Sequence, residues 1–82
     1  MNTKVVIYSR TTCHLCEEAE NNVRQVLVEI PFDLEVINID GDQELERLYG
    51  EEVPVITING DVHDYYKVDK HRLTQALRAL IG

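Results

Sequence analysis

Ser9-Arg10-Thr11-Thr12-Cys13-His14-Leu15-Cys16 closes one pattern and opens another. Before it stands Val5-Val6-Ile7-Tyr8, β-branched and apolar on consecutive positions, as expected of a central strand covered on both faces. After it the period changes. Leu15, Cys16, Ala19, Val23, Val26 and Leu27 recur at three- and four-residue steps, with Glu17, Glu18, Asn21, Asn22, Arg24 and Gln25 on the other side. This spacing predicts an amphipathic helix from Cys13 with Thr12 as its N-cap. Pro31 stops it, because a proline pushes the residue before it out of the α region.

Working outward, Leu34-Glu35-Val36-Ile37-Asn38-Ile39 reads as a second strand and Asp40-Gly41-Asp42 as the turn after it. Strand, helix and strand in that order predict a βαβ unit with parallel strands. Asp42 then caps a short helix with Leu45, Leu48 and Tyr49 inward and Gly50 at its stop. Val55-Ile56-Thr57-Ile58 and Val62 through Tyr66 flank Asn59-Gly60, the residue pair of a two-residue hairpin turn. Asp69 caps a last helix whose apolar face is Leu73, Ala76, Leu77, Leu80 and Ile81. The order β-α-β-α-β-β-α predicts one α/β domain over residues 1–82, with helices on the faces of a single sheet.

The 82 residues are enough for one domain with a modest core, a chain this short burying only about 60% of its unfolded surface. With 44% hydrophobic and 28% charged residues the composition is that of a globular protein, not a disordered one. Fifteen acidic residues against eight basic give a net charge of −7, which repels phosphate backbones and argues against nucleic-acid binding. Met1 through Tyr8 lacks the long apolar stretch of a secretory leader, and no segment has the ~20 apolar residues of a membrane span. The expected compartment is the cytoplasm, and the expected form a monomer away from membranes. In that compartment structural disulfides are rare. Two cysteines separated by two residues there are catalytic, redox-sensing or metal-binding.

Redox chemistry fits the spacing and the place. Disulfide exchange needs one thiolate to attack and a second thiol near enough to displace the mixed disulfide. At a helix N-terminus, unpaired N–H groups and the helix dipole favour a negative sulfur, and thiol pKa values in such motifs fall from ~8.5 to about 3.5–7.5. Cys13 is then the exposed nucleophile and Cys16, on the apolar face, the shielded resolving thiol. His14 is a candidate for tuning Cys13 when protonated. Arg10 is a candidate for supporting the thiolate or holding a substrate carboxylate. Val53-Pro54 leads a strand, where a proline need not donate to the ladder. Were its peptide bond cis, the N–H and C=O of Val53 would be free to pair with an extended substrate beside Cys13. The competing reading is a metal or cluster module shared by two chains, since Cys-x-x-Cys is also half of a zinc site. Only His14, His63 and His71 could complete one, and the seven residues between His63 and His71 lie outside the usual three-to-five spacing.

Tyr8 through Glu17, the Val53-Pro54-Val55 step and the order of elements resemble the glutaredoxin-like family of the thioredoxin-fold superfamily, most of all its short Cys-His-Leu-Cys-Glu type. The resemblance implies a four-stranded mixed sheet flanked by helices, and a thiol–disulfide oxidoreductase. It implies that Cys13 attacks, Cys16 resolves and a cis Pro54 faces them, with Arg10 where glutaredoxins often keep a lysine for the glutathione carboxylate. No tightly bound cofactor or metal is implied. The implied partners are a disulfide-bearing protein or small thiol as substrate, and glutathione or a reductase as electron donor. Glu52 stands where glutaredoxins commonly have a threonine, and Tyr65-Tyr66-Lys67-Val68-Asp69 lacks their paired glycines. Weak coupling to glutathione is therefore expected. A thioredoxin-fold adaptor without turnover is the remaining alternative.

Overall fold

The computed structural model describes residues 3–81, so Met1, Asn2 and Gly82 of the expected domain, with the start of the leader reading, lie outside the described residues. The elements are β1 (Lys4–Ser9), α1 (His14–Glu29), β2 (Asp33–Asn38), α2 (Gln43–Tyr49), β3 (Val55–Ile58), β4 (Asp61–Tyr65) and α3 (Lys70–Ile81). They form one four-stranded sheet in the order β2-β1-β3-β4. β1 runs parallel to β2, with Lys4 opposite Asp33 and Ser9 opposite Asn38. β3 is antiparallel to both its neighbours. The expected mixed α/β sheet is what the chain adopts.

Each strand's burial follows from its place. β3 is flanked on both sides, and all four of its residues, Thr57 included, are buried. β1 buries Val5 and Ile7 completely, on the face that α1 and α3 cover. There Ala19, Val23 and Val26 of α1 and Leu73 and Leu77 of α3 join Val5, Ile7, Ile56 and Ile58 in one cluster. Eight of those nine side chains, all but Ala19, are at least the size of valine and wholly apolar, so burying each contributes roughly 1.5–3 kcal/mol before conformational entropy is subtracted. The hairpin turn carries positive φ at both central residues, 52° at Asn59 and 92° at Gly60, the geometry that Asn-Gly tolerates best. Asn59 also locks the turn to β1, its Oδ1 accepting from the Lys4 amide at 2.9 Å.

Several local expectations are corrected. Cys13, not Thr12, is the N-cap of α1, its sulfur accepting from the Cys16 amide. Thr12 instead takes a left-handed backbone, φ 53°. Leu15 is 46% exposed and Leu80 56% exposed, and Leu48 and Ile81 are also exposed. They sit at helix ends or on the short α2, where no second layer lies above them to exclude water. β2 begins and ends one residue earlier than expected, and β4 spans 61–65 with Tyr66 beyond it. The caps at Asp42 and Asp69 are as expected, the latter accepting from the amides of His71 (2.9 Å) and Arg72 (3.2 Å). Among the described residues no helix is long and apolar enough to cross a membrane.

Candidate redox site

Sheet register brings three segments to one end. Tyr8 pairs with Val55, and Val55 pairs with Tyr65. The loop after Ser9, the Val53-Pro54 step and the exit from β4 therefore leave the sheet side by side. Distant parts of the sequence thus meet at the cysteines.

Cys13 and Cys16 are joined as a disulfide, with Cα atoms 5.2 Å apart. Cys13 is half-buried at the mouth of α1, and Cys16 is only 5% exposed. The Cys16 amide donates to Cys13 Sγ at 3.1 Å, and the Glu17 amide donates to the Cys13 carbonyl at 3.1 Å. The first of these bonds puts an orphan helix N–H on the sulfur that would carry negative charge in the reduced protein. Cys13 therefore has the amide contact and the access of a nucleophile, and Cys16 the shielding of a resolving thiol. Among the described residues no group of three or more His, Cys, Asp or Glu side chains is arranged to hold a metal ion.

The Val53-Pro54 peptide bond is cis. The Pro54 carbonyl accepts from the Tyr66 amide at 2.8 Å, while the N–H and C=O of Val53 have no hydrogen-bond partner among the described residues. That leaves a short open edge beside the disulfide loop. Tyr66 follows with φ 68°, and the Lys67 amide donates to the Tyr65 carbonyl at 2.7 Å, closing a three-residue turn around it. A left-handed backbone costs a residue with a Cβ roughly 1–2 kcal/mol. Thr12 and Tyr66 both accept that strain at this one end of the sheet, as residues around functional loops often do.

The structure gives Arg10 partners other than the expected thiolate or substrate. Its Nε donates to Asp40 Oδ1 (2.8 Å), one terminal nitrogen to the Gly50 carbonyl (3.2 Å) and the other to Glu46 Oε1 (2.8 Å). Gly50 suits the arrangement because a Cβ there would collide with the Glu46 carbonyl oxygen. Asp40 completes the brace: its second oxygen accepts the Thr11 amide at 2.8 Å. Those hydrogen bonds hold the Asp40 carboxyl below the usual carboxylate range, the Thr11 amide contributing most. Asp40 was legible only as a turn residue. The signal that could have found it is an acid at the carboxyl end of a strand parallel to β1, within reach of an arginine in the neighbouring loop. His14 is 81% exposed on its side chain, and its Nε2 lies 3.2 Å from Glu18 Oε1 one turn on, an ion pair when the imidazole is protonated. Glu18 thus competes with Cys13 for that charge.

Away from the cysteines, a cavity of about 770 Å³ opens at the opposite end of the sheet, lined by residues such as Leu27, Phe32 and Leu80. It shares no residue with the redox site. Size alone would nominate it, but it holds neither cysteine.

Residues 4–78 match the model of a glutaredoxin-like domain (DUF836). The chain is similar to protein Ne2328 from Nitrosomonas europaea, with a TM-score of 0.80 and 40% identity over 94% of this chain and 93% of that one. It is 29% identical over 75 residues to an uncharacterized protein of Mycobacterium tuberculosis, covering 85% of this chain and 77% of the relative. Its fold is also that of oxidized thioredoxin O2 from Arabidopsis thaliana, with a TM-score of 0.69, 17% identity, and coverage of 99% and 76%. At that identity the likeness speaks for the fold alone.

Proposed function

We propose that this chain, which belongs to the glutaredoxin-like family, is a dithiol–disulfide oxidoreductase in which Cys13 attacks and Cys16 resolves. The observation that carries the reading is the Cys13–Cys16 pair at the start of α1, with an amide aimed at the more accessible sulfur and the other sulfur buried. In the reduced form the Cys13 thiolate bonds to one sulfur of a substrate disulfide, and the second substrate sulfur leaves as a thiolate that takes up a proton. Cys16 then loses its proton and attacks Cys13 Sγ. The bond between Cys13 and the first substrate sulfur breaks, that sulfur leaves as a thiolate and takes up a proton, and the intramolecular disulfide closes. Two electrons have moved from protein to substrate, and an external thiol or reductase returns them.

The free N–H and C=O of Val53 give an extended substrate two backbone hydrogen bonds beside the cysteines, the mode of strand addition. Arg10 acts through its brace to Asp40 and Glu46, positioning the loop that presents Cys13. Glutathione is a candidate donor in a monomeric cytoplasmic enzyme. The acidic Glu51-Glu52 before Val53 and the absence of glycines at Tyr65-Tyr66 favour a reductase instead.

The test is reduction of a model protein disulfide in two parallel systems, glutathione with its reductase and a thioredoxin reductase couple. Cys13→Ser abolishes turnover, and Cys16→Ser accumulates a mixed disulfide with substrate, detectable by intact mass. Full activity in the Cys13→Ser protein would overturn the reading. Efficient turnover of glutathione mixed disulfides would overturn the expected donor preference.

A further inference from the structure

We infer that Tyr66 is a specificity-determining residue of this site, flanking the open Val53 edge that takes an extended, cationic polypeptide with an apolar residue beside its disulfide. The inference rests on the oxidoreductase reading and names the class of substrate that reading leaves open. Tyr66 holds a left-handed backbone, φ 68°, where bulky residues are uncommon and glycine or asparagine is the usual choice. The core does not explain the aromatic ring. Tyr66 is 51% exposed, the aromatic stack among the described residues is between Tyr8 and Tyr49, and none of their side-chain hydrogen bonds uses its hydroxyl. A strained position that carries a large, half-exposed ring points to a function for the ring outside the fold.

Its location supplies the function. The Tyr66 amide is bonded to the Pro54 carbonyl, one residue from the unpaired Val53 edge. A polypeptide strand paired to that edge sends alternate side chains to opposite sides, so one set is offered to whatever flanks the edge. Tyr65, Tyr66 and Leu15, the last between the two cysteines, are exposed apolar or aromatic side chains on the segments that meet at this end of the sheet. Charge selects among such polypeptides. Glu51 and Glu52 precede the edge and Glu17 follows the disulfide, and none of the three is in an ion pair among the described residues. The nearby cations Arg10 and His14 are already matched by Asp40, Glu46 and Glu18, which leaves Lys67 alone on the other side of the balance. A basic polypeptide is drawn to that rim and a small anionic disulfide is repelled.

The experiment compares kcat/KM for two lysine-containing disulfide peptides, one with leucine and one with glycine beside the cysteine, and for glutathione disulfide. Wild type prefers the leucine peptide by about tenfold, the scale of one apolar contact. Tyr66→Phe keeps that ratio, whereas Tyr66→Gly and Tyr66→Asn bring it to about twofold or less, mainly through KM. Both of the latter accept a left-handed backbone, so thermal melting reports a folded protein and two chemically different variants carry the result. Raising salt from about 0.05 M to about 0.5 M narrows the preference for the cationic peptides over glutathione disulfide. An unchanged leucine-to-glycine ratio in Tyr66→Gly, with Cys13-dependent turnover intact, overturns the role of Tyr66 alone. Absence of Cys13-dependent turnover of every probe overturns the oxidoreductase reading, and this inference with it.

Discussion

On one face of the sheet α1 and α3 close over Val5, Ile7, Ile56 and Ile58 with a cluster that is apolar throughout. On the other, the seven-residue α2 buries none of its residues fully, stacks Tyr49 on Tyr8 with ring centroids 4.6 Å apart, and meets the redox loop through Arg10 and Glu46. The first face holds the fold together. The second is thinner, burying Val55 and Thr57 of β3 under a helix that is itself only partly buried, and its polar contacts fix the position of one loop. The difference teaches that stability and site geometry are carried by different sides of the same sheet, so each can be perturbed with limited effect on the other.

The sharpest way to break this comparison is Leu73→Ala. Leu73 is fully buried against the sheet, and its truncation is expected to destabilise by about 2–5 kcal/mol, read as a lower urea midpoint at unchanged slope. A cost below ~1 kcal/mol would mean that the α1–α3 face is not the main source of stability. Tyr49→Leu probes the other face more gently. It removes the ring stack and keeps an apolar side chain, for an expected loss of about 0.5–1.5 kcal/mol in the same titration.

Asp40→Asn sharpens the contrast further. The carboxylate joins Arg10 to the Thr11 amide, all at exposed or partly exposed positions, so the expected stability change is small. Its effect falls on the chemistry instead, with kcat/KM toward a peptide disulfide reduced about tenfold as the Cys13 loop loses its brace. A large loss of stability with activity intact would reverse the assignment of roles.

The smallest expected effect is with pH. Burial lowers the His63 pKa from its ordinary value of 6.5, the nearby Asp64 only partly opposing this. The unfolded chain therefore binds that proton more readily, and stability should fall as pH drops below about 6.5. Asp40 and Asp69 have lowered carboxyl pKa values, so what they contribute is present above the unfolded value and is lost only as pH falls through their folded ones. The urea midpoint should thus decline modestly from about pH 7 to about pH 5.5, and His63→Gln should flatten that slope. A slope that persists in the variant would assign it to another group.

Much of this could be read along the chain, because the signals are local. Val5-Val6-Ile7 needs two covered faces, Asn59-Gly60 needs positive φ, Asp69 needs the amides of α3, and two cysteines at a strand-to-helix step need little else to suggest their chemistry. Leu15, Leu48, Leu80 and Ile81 misled because periodicity gives the side of a helix and not whether anything lies above it. Arg10 shows a related limit of local reading: its charge is visible in sequence, but the partners it has in the fold lie 30 to 40 residues away.

What the sequence by itself determined was the order of elements, the parallel pairing around α1 and the unequal surroundings of Cys13 and Cys16, all set by spacing within a few turns of chain. Only the tertiary structure decided that Asp40 holds the loop, that Val53 is left unpaired and that Tyr66 stands beside it. Those relations depend on which strands are neighbours and in what register, and side chains so far apart in sequence meet only when the sheet closes.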